Sequence, residues 1–400
     1  MIYLDNGATS LHKPAGVARA AYRAMQTCAN PGRGGYPQAM AAARTVLDCR
    51  ELAAQMFDCQ PEQVVFTSNC THGLNMAIKT LVNPGGKVLI SGFEHNAVTR
   101  PLHGLNIAIR TLVNPGDRVA VSGFEHNAVT RPLHGLNAKI LVAGRKLFDW
   151  ENTLTEFEKA LKTGVRAAVF THCSNVFGYI LPVEEMAALC RHYGVPFIID
   201  AAQSAGTLPV KLRTLGADFI AMPGHKGLLG PQGTGLLLCG SQPKALIQGG
   251  TGSDSVNQDM PDYLPEALEA GTLNVPGIAG LGAGLAWLIR TGCQTILHGE
   301  QQAARSCARG LQALGFQVFS GEHQAGTVSF VPAGDCEVFA QALAHKGIAV
   351  RAGLHCAPLA HESAGTLDTG TVRVSFGHDA ALWQAERFLQ AAEQTKKICQ

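Results

Sequence analysis

Short apolar runs alternate with amphipathic helical stretches along most of the chain. The runs predict strands at 64–67, 138–142, 167–172, 195–199 and 233–239. Apolar residues at helical spacing predict helices at 15–27, 37–57, 74–82, 152–161 and 183–193. This alternation predicts an α/β fold with a mostly parallel central sheet, helices on both faces and right-handed crossovers.

The pattern changes in the last third of the chain. Strands are predicted at 327–330 and 371–376, and helices at 336–345 and 380–394. These elements do not continue the regular alternation, so they indicate a smaller α+β region. We therefore predict a large domain over residues 1–262 and a small C-terminal domain over residues 263–400.

Residues 73–103 recur immediately as residues 104–134. Aligned without gaps, the copies differ at six of 31 positions, and His-Gly-Leu-Asn flanks both. A tandem duplication leaves this arrangement, and two copies are too few for a solenoid. We expect the first copy to take the regular helix–strand place. Its helix continues from the preceding turn, and Leu89 in its strand is replaced by Ala120 in the second copy.

The composition narrows the class of protein. The 400 residues are 46% hydrophobic and 16% charged, which is typical of a large buried core. A net charge of +2 gives no reason to expect a nucleic-acid partner. We expect a cytoplasmic protein without membrane contact, because no signal peptide or bilayer-spanning run is evident. Twelve cysteines without metal or disulfide spacing predict reduced thiols and no metal site.

Asp200 and Lys226 are the main candidates for chemistry. Asp200 ends the apolar run 195–199, and Lys226 stands in the glycine-rich loop 224–230. A buried carboxylate at the carboxyl edge of a sheet needs a cationic partner, and a buried lysine can attack a carbonyl. Pyridoxal phosphate requires such an acid for its ring nitrogen and such a lysine for a Schiff base. A structural Asp–Lys pair is the alternative.

The turn 68–73 is a candidate anion site. It joins the strand 64–67 to the next helix through small polar residues. Free backbone N–H groups and the helix dipole favour an anion at such a point, and Thr71 adds a hydroxyl.

Several motifs follow one another over nearly the whole chain. They include Tyr3-Leu4-Asp5-Asn6, Ser68-Asn69-Cys70-Thr71, His172-Cys173-Ser174-Asn175, Asp200-Ala201-Ala202-Gln203, Gly224-His225-Lys226, Glu269-Ala270-Gly271-Thr272 and Arg351-Ala352-Gly353-Leu354-His355-Cys356. In this order they resemble the class-V aminotransferases, which are fold-type-I pyridoxal-phosphate enzymes, and among them the cysteine desulfurases. The last motif carries most of the likeness to the desulfurases.

The resemblance implies how the cofactor would be held. Lys226 would bind it as a Schiff base, Asp200 would contact the ring nitrogen, and Gln203 the phenolic oxygen. Asn175 would contact that oxygen too, or orient the substrate carboxylate. The phosphate would be held by the residues Thr71, His225, the backbone at Cys70 and, from the neighbouring subunit of a homodimer, Thr272. Cys70 and Pro223 depart from the family's usual residues, which leaves fewer hydroxyls for the phosphate.

The resemblance also implies a histidine stacked on the cofactor ring. The motif Glu-His-Asn that supplies it occurs in both copies of the repeat, as His95 and as His126. Because we expect the first copy to take the regular place, we predict that His95 stacks on the ring.

Substrate binding and sulfur transfer are implied for two further residues. Arg373 would clamp the substrate carboxylate with two hydrogen bonds, and a core arginine without a ligand is the alternative. Cys356 lies in a loop with Arg351 and His355, and a thiol near positive charge is a better nucleophile. It would take the sulfur of L-cysteine as a persulfide, release L-alanine and pass the sulfur to an acceptor protein for iron–sulfur clusters or other thio-cofactors.

Three other functions remain open from the sequence. The protein could act as a selenocysteine lyase or as another class-V lyase or aminotransferase, with Cys356 an unreactive loop thiol. It could also be a folded protein that the repeat inactivates.

Overall fold

The computed structural model describes residues 1–32, 34–81, 88–93, 140–165, 167–243, 245, 247–251 and 259–399. The second copy of the repeat, at 104–134, lies outside the described residues. The predictions for His95 and His126 therefore also fall outside them.

Thirteen strands and eleven helices are formed by the described residues. The strands are β1 (Ile2–Tyr3), β2 (Val64–Thr67), β3 (Val88–Ser91), β4 (Ile140–Ala143), β5 (Ala167–Thr171), β6 (Phe197–Asp200), β7 (Phe219–Pro223), β8 (Gly235–Cys239), β9 (Gln317–Phe319), β10 (Thr327–Val331), β11 (Ile348–Ala349), β12 (Arg351–Gly353) and β13 (Thr371–Ser375). The helices are α1 (Ala15–Thr27), α2 (Pro37–Phe57), α3 (Cys70–Leu81), α4 (Trp150–Leu161), α5 (Val183–Tyr193), α6 (Leu212–Leu215), α7 (Val275–Thr291), α8 (Cys293–Ala313), α9 (Cys336–His345), α10 (Pro358–Ala364) and α11 (Leu382–Cys399).

The central sheet has seven strands in the order β2-β8-β7-β6-β5-β3-β4. Strand β8 runs antiparallel to both of its neighbours, and the other six strands share one direction. The apolar runs are continuous because both faces of the sheet are covered. In β6, Phe197 and Ile199 pack into one core layer and Ile198 into the other.

The strand of the first repeat copy occupies this sheet. Strand β3 lies between β4 and β5 and is hydrogen-bonded to both. Leu89 is fully buried in one core layer, while Val88 and Ile90 pack into the other. The expectation that the first copy supplies the regular helix–strand unit is confirmed for α3 and β3.

The C-terminal region forms a second sheet, which is antiparallel, in the order β12-β13-β10-β9. Helices α8, α9 and α11 cover it through a separate core that includes Phe330, Phe339 and Phe388. Contacts between whole elements cross the predicted boundary between residues 262 and 263. Strand β1 pairs with β11, and α7 packs against α1 and α2. The boundary itself stays a prediction.

Helix boundaries follow the local signals closely. Predicted helices at 15–27, 37–57, 183–193 and 336–345 match α1, α2, α5 and α9. Helix α3 begins four residues earlier than predicted, at Cys70, because Asn69 caps it: its Oδ1 accepts the His72 N–H at 2.9 Å. Across the described ranges, no helix is both long and apolar enough to cross a membrane.

Candidate active site

Asp200 and Lys226 meet at the carboxyl edge of the central sheet. Asp200 is the last residue of β6, and Lys226 follows the end of the neighbouring strand β7. Both side chains line one cavity of about 210 Å³. Asp200 is buried and Lys226 is half-buried. The sheet thus brings together the two residues that the sequence singled out, at the edge where ligands of α/β proteins bind.

Burial perturbs both groups. Burial raises the pKa of the Asp200 carboxyl, while the Ala202 N–H, the charge of Lys226 and the thiol of Cys70 oppose the rise. Burial also lowers the pKa of the Lys226 amine, and Asp200 opposes that change. A lysine with a lowered pKa is more often the neutral amine, which is the form that attacks a carbonyl.

The first turn of α3 borders the same cavity. Cys70 and Thr71 line it from this turn, and His225 lines it from the lysine loop. His225 Nδ1 lies 3.0 Å from Thr9 Oγ1, and burial lowers the pKa of the ring to about 4. At neutral pH the attraction for an anion at this end therefore comes from the start of helix α3 and not from a charged histidine.

Arg373 and Asn175 lie on the other side of the cavity. Arg373 is in the middle of β13 and fully buried, and Asp5 holds it by an ion pair of 2.6 Å to Nη2. Its Nη1 donates to the carbonyl of Asn175 at 2.8 Å. The Asn175 side-chain amide donates to the carbonyl of His355 at 2.8 Å. Asp5, Asn175, His355 and Arg373 thus form one connected network.

Three buried polar atoms of this network have no hydrogen-bond partner among the described residues. They are Asn175 Oδ1, His355 Nδ1 and Arg373 Nε. Asn175, His355 and Arg373 all line the cavity. Because an unpaired buried polar group is costly, two free acceptors and one free donor suit a polar ligand that carries both kinds of group, such as an amino acid.

Cys356 lies just outside the lining of this cavity. It is exposed, and Arg351 Nη2 lies 3.9 Å from its sulfur. His355 and Cys356 both have positive φ angles, of 48° and 59°. Two consecutive non-glycine residues in this region are strained, and such strain is typical of functional loops. The loop thus presents a thiol next to a guanidinium that also lines the cavity.

Gln203 and Thr272 occupy different surroundings. Gln203 Nε2 donates to the carbonyl of Gly7 at 2.9 Å, and the side chain lines a second, smaller cavity that Lys226 also borders. Thr272 lies with Arg50 and Glu269 in a third cavity, apart from Lys226. Within this single chain, Thr272 does not join the other predicted site residues.

Three features of the site were not predicted from the sequence. Two are true contacts, namely the Asp5–Arg373 ion pair and the 3.3 Å approach of the Cys70 thiol to Asp200. The third is the position of Glu300, which is buried in the wall of the smaller cavity. The motifs contained Asp5 and Cys70, but their partners are 368 and 130 residues away. The sequence did carry a signal for Glu300. It is a carboxylate among the apolar residues that form the buried side of α8, where a charged residue is unusual.

Glu300 makes stability depend on pH. Burial, with repulsion from Asp379, raises the pKa of its carboxyl from 4.5 to about 8. Between these values the folded protein holds a proton that the unfolded chain has lost. The protonated Glu300 therefore contributes its full share to the free energy of unfolding below about pH 4.5. That share falls as the pH rises to about 8.

We expect Glu300→Gln to remove this loss of stability at higher pH, because glutamine has nearly the same shape as glutamate and cannot ionise. Relative to wild type, the variant should gain on the order of 3 kcal/mol of unfolding free energy between pH 5 and pH 8. Urea unfolding of the apo protein at both pH values measures the difference. Glu322→Gln, at an exposed carboxylate, is the control. An unchanged difference between Glu300→Gln and wild type at the two pH values would contradict the assignment.

The family model for aminotransferase class-V matches residues 2–106 and 102–388. The two matched segments overlap inside the repeat, at residues 102–106. The overlap spans the junction between residues 73–103 and their recurrence at 104–134.

Curated relatives are similar over nearly the whole chain. A probable cysteine desulfurase of Methanothermobacter thermautotrophicus is 32% identical over 392 residues, covering 94% of this chain and 89% of the relative. A protein of the same name from Pyrococcus abyssi is 31% identical, and the match covers 99% of this chain and 94% of that relative.

Solved structures agree in fold. An apo cysteine desulfurase from Thermococcus onnurineus superposes with a TM-score of 0.86 at 30% identity, covering 99% of this chain and 94% of that one. The desulfurase CsdA of Escherichia coli reaches 0.79 at 24% identity, over 99% and 95%. The predicted fold class, a fold-type-I α/β architecture, is confirmed. The chain belongs to the class-V aminotransferase family.

Proposed function

We propose that this protein is a cysteine desulfurase, which uses pyridoxal phosphate to convert L-cysteine to L-alanine and retains the sulfur on Cys356. One observation carries the proposal. The cavity that holds Lys226 and Asp200 is also lined by Arg351, whose guanidinium lies beside the Cys356 thiol. The names of the relatives that cover nearly the whole chain support the same reaction.

The residues of the cavity fit pyridoxal phosphate. Lys226 offers an amine for the aldehyde, Asp200 a carboxylate for the ring nitrogen, and the first turn of α3 a site for the phosphate. His225 and Thr71 stand next to that turn. When bound, the cofactor supplies an electron sink for bond breaking at the α and β carbons of the substrate.

Arg373 and Asn175 orient the substrate. The guanidinium has five N–H groups, and Asp5 and the Asn175 carbonyl engage two of them. The remaining donors, including Nε, are left for the carboxylate of cysteine. Lys226 Nζ then accepts the α proton, which its lowered pKa allows.

Cys356 carries out the sulfur transfer. Its sulfur attacks the sulfur of the substrate, so that an S–S bond forms as the Cβ–S bond breaks. The electron pair of the broken bond stays with the carbon fragment, which takes one proton at Cβ and regains the α proton from Lys226 to give alanine. Arg351 lies close enough to the Cys356 sulfur to donate a hydrogen bond to a sulfur anion. The Cys356 persulfide is then the product that an acceptor protein consumes, for iron–sulfur clusters or other thio-cofactors.

The assembly that we propose is a cytoplasmic homodimer. Helices α1 and α2 expose several large apolar side chains, namely Tyr22, Met25, Met40 and Leu47. An apolar surface of this kind is typical of a protein–protein contact. Thr272 lies apart from its own chain's Lys226, as expected if it serves the phosphate of the neighbouring subunit. The eleven described cysteines with free thiols are consistent with a reducing compartment.

His95 is the histidine that we propose for stacking on the cofactor ring. Strand β3 and Phe93 belong to its copy of the repeat, and Phe93 is buried against Phe177 and Tyr179. The chain therefore leaves β3 beside β5, the strand that leads to Asn175. We expect His95→Ala to change the absorbance of the bound cofactor and to reduce turnover at least tenfold, and His126→Ala to do neither. The reverse pattern would show that the second copy supplies the ring contact.

Product analysis tests the proposed reaction against the alternatives. Protein loaded with pyridoxal phosphate is incubated separately with L-cysteine and with L-selenocysteine, and alanine, sulfide, selenide and pyruvate are measured. We expect equal amounts of alanine and transferable sulfur from L-cysteine. Pyruvate as the main product, or turnover of L-selenocysteine alone, would rule out the desulfurase.

A further inference from the structure

The thiol of Cys70 contacts the carboxylate that the proposed cofactor needs. Cys70 is the first residue of α3 and is buried, and its Sγ lies 3.3 Å from Asp200 Oδ1. A thiol is a weak donor, but its hydrogen bond to a buried carboxylate is charge-assisted. The contact joins the start of α3 to the end of β6, which are the two elements that border the cavity on this side.

Two donors converge on the same oxygen of Asp200. Oδ1 accepts the backbone N–H of Ala202 at 2.8 Å as well as the thiol of Cys70. No hydrogen bond from a described residue reaches Oδ2. The carboxylate is therefore held by one oxygen, which leaves the other for a ligand in the cavity that Asp200 lines.

The donors also favour the charged form of the carboxylate. Burial opposes a negative charge on Asp200, while Ala202, Lys226 and Cys70 favour it. Lys226 is the residue that would bind the cofactor, so its ammonium is not a fixed part of this environment. The Ala202 N–H and the Cys70 thiol belong to the fold and stay in place.

We propose that Cys70 is a positioning residue, whose thiol holds the Asp200 carboxylate charged and directed toward the pyridine nitrogen of the cofactor. The inference rests on the proposed cofactor and not on the identity of the amino-acid substrate. A thiol that merely fills space would serve any ligand of the same shape, whereas this role requires a ring nitrogen.

Cofactor affinity separates the two roles. The dissociation constant of the apo protein is measured for pyridoxal phosphate and for the carbocyclic analogue in which C–H replaces the ring nitrogen. We expect Cys70→Ala to weaken binding of pyridoxal phosphate about fivefold to tenfold, as for the loss of one hydrogen bond of ordinary strength, and binding of the analogue less than about twofold. Cys70→Ser keeps a donor and should restore the affinity for pyridoxal phosphate to within about twofold of wild type.

Cys239→Ala is the matched control, since Cys239 is a buried thiol in β8 that does not line the cavity. It should leave both dissociation constants unchanged. Equal weakening of both ligands by Cys70→Ala, or a failure of Cys70→Ser to recover binding, would overturn the inference. A wild-type protein that binds neither ligand would instead overturn the proposed function, and this inference with it.

Discussion

Lys226→Ala is expected to abolish turnover and the absorbance band of the covalently held cofactor. Lys226 is the lysine that lines the cavity of Asp200, and burial lowers the pKa of its amine. Alanine removes both the covalent attachment and the base for the α proton. Because proton transfer by a positioned group contributes about 10²–10⁴-fold, and the attachment is lost as well, activity should fall at least a thousandfold.

Reduction with borohydride followed by peptide mapping measures the attachment directly. In the wild type, the reduced adduct should be found on Lys226. Lys13 is the competing candidate, because its Nζ lies near the same loop, 3.4 Å from the carbonyl of His225, and burial lowers its pKa to about 8. Lys211→Ala, at a half-buried lysine away from the cavity, should keep the band. An adduct on Lys13 would contradict the assignment of Lys226.

Cys356→Ala is expected to separate cofactor chemistry from sulfur transfer. Cys356 does not line the cavity of Lys226, so the variant should bind pyridoxal phosphate normally and show the wild-type spectral change with L-cysteine. It lacks the attacking sulfur, so alanine release should fall on the order of a hundredfold or more.

The control for this variant is Cys293→Ala, which removes a half-buried thiol at the start of α8 and should leave turnover unchanged. Alanine and sulfide released by Cys356→Ala at the wild-type rate would mean that no enzyme thiol takes part. The protein would then be a lyase in which Cys356 is an ordinary loop residue.

Local sequence patterns predicted most of the strands and helices before residue 262. The run 195–199 placed Asp200 at a strand end because a continuous apolar run has few other uses in an α/β chain. Helices α2 and α5 end at αL residues, Asp58 and Gly194, right after the last residue with helical apolar spacing. The start and end of such elements are determined by residues only a few positions away in the sequence.

The contacts that complete the site are not local. Asp5 reaches Arg373 because β1 pairs with β11 of the C-terminal region, although the sequence pattern assigns residues 1–262 to a separate domain. The thiol of Cys70 reaches Asp200 only because α3 packs against the end of β6. Residue type and spacing in the sequence do not indicate that these pairs of distant residues lie in contact. A resemblance to a family assigns roles to motif residues, and it missed these two contacts because they depend on how distant elements pack.

A persulfide on Cys356 is the most direct test of the central claim. The enzyme loaded with pyridoxal phosphate is mixed with one equivalent of L-cysteine, and the reaction is stopped by alkylation. After digestion, the mass of the peptide that contains Cys356 is measured by mass spectrometry. We predict one added sulfur on Cys356, in an amount that matches the alanine formed. Alanine formed without added sulfur on Cys356, or added sulfur on a different cysteine, would contradict the account.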